Sequence, residues 1–153
     1  MTSAVHSWKQ IGRAFIWQYP LHKKKHRGWH FTCDDAACDS LTMLMEAMRT
    51  EGAPSKRSIS LARVTPEVWA VPNFGAPLRE SYQTMVLEYD PNFSDLRLNE
   101  DEGRLWLHVG DASATTLVKA LADLKAGGGD YSLPSKDTDA PPIWIWWMLR
   151  SKQ

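Results

Sequence analysis

The run from residue 143 to 149, IWIWWML, constrains the fold more than any other segment, because it is apolar on both faces of any strand that it forms. Successive side chains of a strand point to opposite faces, so Trp144 and Trp146 share one face while Ile143 and Ile145 share the other. One face can pack on a core. The second face needs cover from a helix, a partner chain or a ligand, and the run therefore predicts a binding surface.

Length and charge limit the class of protein. The chain has 153 residues, which is near the usual size of one domain, and we expect a single α+β domain over 1–153. Lys and Arg total 18, as do Asp and Glu, so the formal net charge is zero. A neutral chain argues against a protein that grips nucleic acid or anionic membrane along its whole surface. Eight tryptophans are many for this length, and they are the compositional feature to explain.

The sequence predicts neither a membrane span nor a secretory leader. Its apolar runs are far shorter than the roughly 18–20 residues that cross a bilayer. Residues 1–6 (MTSAVH) lack a basic stretch followed by an apolar one. Two cysteines are too few for a disulfide scaffold. We therefore expect a cytoplasmic protein with no membrane partner.

The clearest helix signal begins at residues 32–35 (TCDD), which fit a capping box with Thr32 as the N-cap. An apolar stripe at helical spacing follows and stops at Gly52; its members are Cys38, Leu41, Leu44, Met45 and Met48. A second helix is predicted over about 113–126, with Asp111 or Ser113 as N-cap and three glycines as the stop.

The remaining patterns indicate strands. Strands over 15–19 and 29–31 are expected to form a hairpin, and others are expected near 58–64, 82–89, 95–98, 104–109, 130–133 and 143–149. An acidic turn over 99–103 would join the pair that contains Trp106 and His108, which share the face opposite the core. The order predicts an α+β fold: a single antiparallel or mixed β-sheet of about five to seven strands with two main α-helices packed on one face.

If both helices cover one face, the other sheet face is open and its aromatic residues are available for recognition. The candidates are Trp144, Trp146, Trp106 and His108. Tryptophan gives a large contact area with few rotatable bonds and is enriched at interface hot spots. The alternative is that these tryptophans fill core, because large exposed apolar patches are uncommon on monomers.

A basic segment over 22–27 adds a second candidate surface, formed by Lys23, Lys24, Lys25 and Arg27 beside Trp29. Cations interleaved with aromatics can neutralise phosphates and stack bases. A charged loop is equally consistent with simple solvation, and an acidic protein partner fits the same patch.

Metal-ligand residue types occur once as a cluster, at His22, His26, His30, Cys33 and Cys38. With both cysteines counted as helical, a separation of five residues turns the thiols roughly 140° apart. This predicts diverging thiols that form neither a disulfide nor a metal site. A Cys33 nucleophile is disfavoured by the neighbouring Asp34 and Asp35.

The acids Glu100, Asp101 and Glu102 lie in one expected turn, and Asp137 and Asp139 in another, where solvated carboxylates are the rule. No catalytic residue, metal or cofactor is predicted from any of these patterns, and the sequence leans away from an enzyme without deciding it.

The leading hypothesis is a non-enzymatic protein-interaction module, regulatory or immunity-like, that binds a protein partner or a second copy of itself through an aromatic sheet face. The alternative is a small-molecule-binding protein or enzyme whose pocket is lined by Trp144, Trp146, Trp106 and His108. A third hypothesis is nucleic-acid binding through the basic loop 22–27.

Overall fold

A computed structural model describes residues 3–18, 29–63, 80–129, 131–133 and 143–146. Three helices lie in this part of the chain: α1 (Ala4–Ser7), α2 (Asp35–Glu51) and α3 (Asp111–Lys125). The strands are β1 (Ala14–Gln18), β2 (Trp29–Cys33), β3 (Ser55–Ser60), β4 (Glu80–Ser81), β5 (Thr84–Tyr89), β6 (Leu96–Asp101), β7 (Arg104–Val109), β8 (Tyr131–Ser132) and β9 (Ile143–Ile145). The α+β class expected from the sequence is confirmed.

The described strands form two mixed sheets, so the prediction of a single sheet of five to seven strands is wrong. A five-stranded sheet has the order β4-β1-β2-β9-β8, and a four-stranded sheet has the order β3-β5-β7-β6. The division occurs at Tyr82 and Gln83, which separate β4 from β5. Strand β4 pairs with β1 in one sheet and β5 pairs with β3 in the other. The alternation of residues 82–89 carries no sign of this change of partner.

Both sheets turn one face toward α2 and α3, and the sheets and helices share one apolar core. Alternation along the strands selects the buried side chains, such as Ile143 and Ile145 of β9 and Leu105 and Leu107 of β7. Within this core, a cavity of about 30 Å³ is lined only by apolar side chains from both sheets and both helices. The core face of the sheets is therefore apolar and closed, and the outward faces of the sheets are candidate recognition surfaces.

Helix α2 begins later than the sequence predicts. Its N-cap is Asp34, whose carboxylate accepts a hydrogen bond from the Ala37 amide at 2.8 Å, and Thr32 and Cys33 belong to β2. Both aspartate and threonine are good N-caps, and the pairing of β2 with β1 as far as Cys33 decides between them. The predicted end is confirmed, because Gly52 adopts the left-handed conformation that closes the helix.

The turn between β6 and β7 is shorter than expected. Strand β6 continues to Asp101, and only Glu102 and Gly103 remain in the turn, both with positive φ (53° and 76°). Two central residues of positive φ characterise the type I′ turn, whose twist matches that of the flanking strands. The acids at 100–102 thus lie at a hairpin tip and not in a cleft.

Within the described ranges, no helix is long and apolar enough to cross a membrane.

Candidate functional site

The outward face of the five-stranded sheet carries an aromatic row, which we call the indole stack: Trp17, His30, Trp144 and Trp146. The ring of His30 lies between those of Trp17 and Trp146, at centroid distances of 5.8 and 6.0 Å. The rings of Trp144 and Trp146 are also stacked, with a centroid distance of 6.2 Å. Strand register causes the row, because Trp17 pairs with His30 in β1–β2 and His30 pairs with Trp144 in β2–β9. The expected separation of the Trp144 and Trp146 face from the Ile143 and Ile145 face is confirmed.

The indole stack is largely closed to solvent. Trp17 and His30 are 0% exposed and Trp146 is 4% exposed, whereas Trp144 is half-buried. The indole N–H of Trp146 donates to Nδ1 of His30 at 2.8 Å, so His30 carries its proton on Nε2 and is neutral. The prediction of Trp146 as a contact residue is corrected by this burial, because Trp146 packs within the chain.

Breaking the bond between His30 and Trp146 is expected to destabilise the fold, because it leaves a buried donor or acceptor without its partner. A double-mutant cycle with His30→Phe, Trp146→Phe and the double variant separates this bond from other losses at either site. We expect a coupling energy of about 1–2 kcal/mol in the free energy of unfolding, measured by urea denaturation. Strictly additive single-variant losses would show that the bond contributes nothing.

The outward face of the four-stranded sheet carries side chains that are exposed or half-buried, apart from the buried Val86. We call its central part the Trp106 surface: Lys56, Val86, Glu88, Phe93, Arg97, Trp106 and His108. Strand alternation places Trp106 and His108 on this face and Leu105, Leu107 and Val109 on the core face, as predicted. Helices α2 and α3 pack on the core face. Trp106 is half-buried and does not belong to the core.

Charged groups surround Trp106. The Nζ of Lys56 lies 5.9 Å from its ring centroid, a cation–π distance. The His108 ring is nearly parallel to the indole at 6.5 Å, and its Nδ1 lies 3.3 Å from a carboxylate oxygen of Glu88. Arg97 is the partner of His108 in the β6–β7 register. The surface therefore has an aromatic centre and a rim of both charge signs, with the Glu88 side chain 41% exposed.

The four aromatic candidates do not form one pocket. Trp144 and Trp146 lie on the five-stranded sheet, and Trp106 and His108 lie on the four-stranded sheet. The strands that carry the two aromatic pairs, β9 and β7, belong to different sheets and are not neighbours. Sequence reasoning grouped them because it assumed one sheet.

Trp29, a predicted surface residue, is also corrected, because it is 5% exposed and packs at 5.5 Å from Tyr82 on the core side of β2. The basic candidates Lys23, Lys24, Lys25 and Arg27 lie outside the described residues, as do His22 and His26. The nucleic-acid hypothesis for the loop 22–27 thus stays a prediction.

A groove that the sequence did not indicate runs between the N-terminal segment and α2. Its volume is about 520 Å³, and its lining includes Trp8, Ile11, Asp39 and Met43. Ile11 and Met43 are each 65% exposed, the highest values for large apolar side chains in the described ranges. The position of Met43, outside the apolar stripe of α2, was the available signal for this second apolar surface.

The described residues contain no cluster of three or more potential metal ligands. His30 and Cys33 are three residues apart on β2, so their side chains point to opposite faces and cannot bind one ion. Burial raises the pKa of Tyr131 to about 12, with a further contribution from its hydrogen bond to Asp123. Burial, followed by the hydrogen bond to Asp111, likewise raises the pKa of Tyr89. Both phenols are thus kept protonated and serve as structural donors.

Comparisons of the chain with protein-family models, with curated proteins and with solved structures find no match.

Proposed function

We propose that this protein is a non-enzymatic interaction module that binds a protein through the Trp106 surface, and that a second copy of the chain is such a partner. The observation that carries the proposal is a half-buried tryptophan at the centre of a sheet face, outside the core and beside charged side chains. An aromatic anchor with a polar rim is the usual anatomy of a protein interface.

Electrostatics supports self-association in particular. The formal net charge is zero, so two copies do not repel each other as whole molecules. The rim contains Lys56 and Arg97 as well as Glu88. In a two-fold interface the same patch meets itself, which favours a patch that contains both signs of charge. The Trp106 surface meets this condition.

The small-molecule alternative has weaker support. The cavity in the core holds about 30 Å³, far below the 300–1,000 Å³ or so that is typical of ligand sites. The proposed pocket of Trp144, Trp146, Trp106 and His108 is divided between two sheets. The groove at Met43 is large enough for a small molecule. However, it is open and mainly apolar, so it fits a side chain of a partner protein as well as a small ligand.

Sedimentation velocity over a concentration series tests the proposal. We expect a reversible shift from monomer to dimer as the concentration of the full chain increases. A chain that sediments as a monomer at every concentration would contradict self-association.

A lysine substitution probes the rim of the same surface. Lys56→Ala removes a rim cation that can pair with a carboxylate of the second copy and is expected to weaken dimerisation up to about fivefold, since exposed ion pairs contribute about 0.2–1 kcal/mol. The matched control is Lys119→Ala, which removes an exposed lysine from α3. Equal dimer dissociation constants for the two variants would place Lys56 outside the interface.

A further inference from the structure

The two cysteines of the chain meet in the core, contrary to the prediction that they diverge. Cys33 Sγ and Cys38 Sγ are 2.8 Å apart, and both residues are free thiols with 2% and 1% exposure. The prediction failed because it placed both residues on one helix. Cys33 is the last residue of β2, Asp34 is the N-cap, and Cys38 lies on the buried side of the first turns of α2.

Helix geometry explains the contact. Side chains of a helix lean toward its N-terminus, so Cys38 leans back toward the strand end that precedes the helix. Its amide donates to the Asp34 carbonyl at 2.9 Å, which sets the first turn, and its thiol also lies 3.9 Å from the Cys33 carbonyl oxygen. The backbone of the strand end and of the first helical turn therefore fixes the two sulfur atoms close to each other.

We propose that Cys33 and Cys38 form a redox modification site that closes into a reversible intramolecular disulfide, with hydrogen peroxide as the oxidant. Both S–H bonds break and one S–S bond forms. The two electrons and two protons released pass to the peroxide, which becomes two molecules of water. A dithiol reductant reverses the step by thiol–disulfide exchange and is itself oxidised to its disulfide.

The surroundings of the pair favour the dithiol as the resting state. The contact with Cys38, burial, and the negative charges of Asp34 and Asp35 all raise the pKa of the Cys33 thiol. A protonated thiol is a poor nucleophile and a poor metal ligand, so the reaction with peroxide is slow and the dithiol persists between oxidation events. The dithiol and the disulfide are both uncharged, so formation of the disulfide leaves no permanent charge in this buried site.

The site lies at a packed corner of the fold. The Asp34 carboxylate accepts from the backbone amides of both Arg13 and Ala37, which ties the start of β1 to the start of α2. A disulfide would add a covalent link between the end of β2 and α2 at the same corner. The redox state of the cysteine pair would therefore affect the stability of the packing of α2 against β2. This consequence is independent of the Trp106 surface.

Thiol counting and peptide mapping on the reduced full chain test the proposal. The protein is exposed to increasing hydrogen peroxide, quenched with catalase, denatured and alkylated. We expect both thiols to be lost together, with an intact mass lower by two hydrogen atoms before alkylation and one cross-linked peptide that contains Cys33 and Cys38. Dithiothreitol should restore both thiols, and a non-reducing gel should show only monomer.

The variant Cys33→Ser is the matched control, because its single thiol has no partner within the chain. It should never lose two hydrogen atoms, and its Cys38 should either resist peroxide or gain oxygen. The proposal is overturned if the wild-type chain gains oxygen at one cysteine, forms disulfide-linked dimers, or keeps both thiols at a peroxide dose that fully oxidises reduced glutathione in a parallel tube. Because these readouts come from the wild-type chain, a variant that fails to fold does not affect the decision.

Discussion

Replacing Gly12 by alanine is expected to lower the free energy of unfolding by about 3 kcal/mol or more. Gly12 has a φ of +81°, a region that costs an L-residue roughly 1–2 kcal/mol. A Cβ at this position would lie 2.2 Å from the Ala37 amide nitrogen and 2.4 Å from an Asp34 carboxylate oxygen. The first turn of α2 and its N-cap would have to move, which adds an overpacking cost of about 1–3 kcal/mol.

The matched control is Gly103→Ala in the β6–β7 turn. Gly103 has a similar φ of +76°, but its Cβ would meet nothing within 4 Å. This variant should lose only the conformational part, about 1–2 kcal/mol. Thermal unfolding followed by circular dichroism distinguishes the two variants. A loss of about 3 kcal/mol in the free energy of unfolding corresponds to a decrease in Tm of roughly 6–12 °C at this chain length. Equal decreases for both variants would contradict the close packing of Gly12 against α2.

Replacing Trp106 by alanine is expected to weaken dimerisation by about thirtyfold, which corresponds to the loss of about 2 kcal/mol at an aromatic hot spot. The half-buried indole lies outside the core, so the variant should remain folded. Sedimentation equilibrium measures the effect, and denaturation in urea verifies the fold. The loss of dimer affinity should be larger than that caused by any rim substitution, because the indole lies at the centre of the surface, between the Lys56 side chain and the His108 ring.

Two controls identify the contact surface. Trp106→Phe keeps an aromatic ring on the sheet and should retain most of the affinity. Met43→Ala shortens the exposed methionine of the groove beside α2 and should leave dimerisation unchanged. If Met43→Ala abolishes the dimer while Trp106→Ala does not, the groove and not the Trp106 surface is the interface.

The sequence predicted those elements whose periodicity acts locally. The stripe of α2, its stop at Gly52 and the alternation around Trp106 each depend on neighbours within a few residues, and all three agree with the structure. The choice of partner strand is different, because it depends on contacts far along the chain. The pairing of β9 with β2, and the change of sheet between β4 and β5, left no local pattern to read.

The candidate site shows the same division. Trp106 and His108 were placed on the correct face from alternation alone. Whether Trp146 is exposed depended on the position of Trp17 and His30, which only the strand register provides. The meeting of Cys33 and Cys38 depended on a shift of the N-cap from Thr32 to Asp34, a difference of two residues that both capping preferences allow.

Oxidative footprinting of tryptophan tests the role of the Trp106 surface most directly. Hydroxyl radicals label exposed side chains, and Trp144, half-buried on the other sheet, provides a reference of the same residue type within each molecule. We predict that the ratio of Trp106 oxidation to Trp144 oxidation falls as the protein concentration rises through the dimerisation range. A ratio that stays constant while the chain dimerises would contradict the assignment of this face as the contact surface.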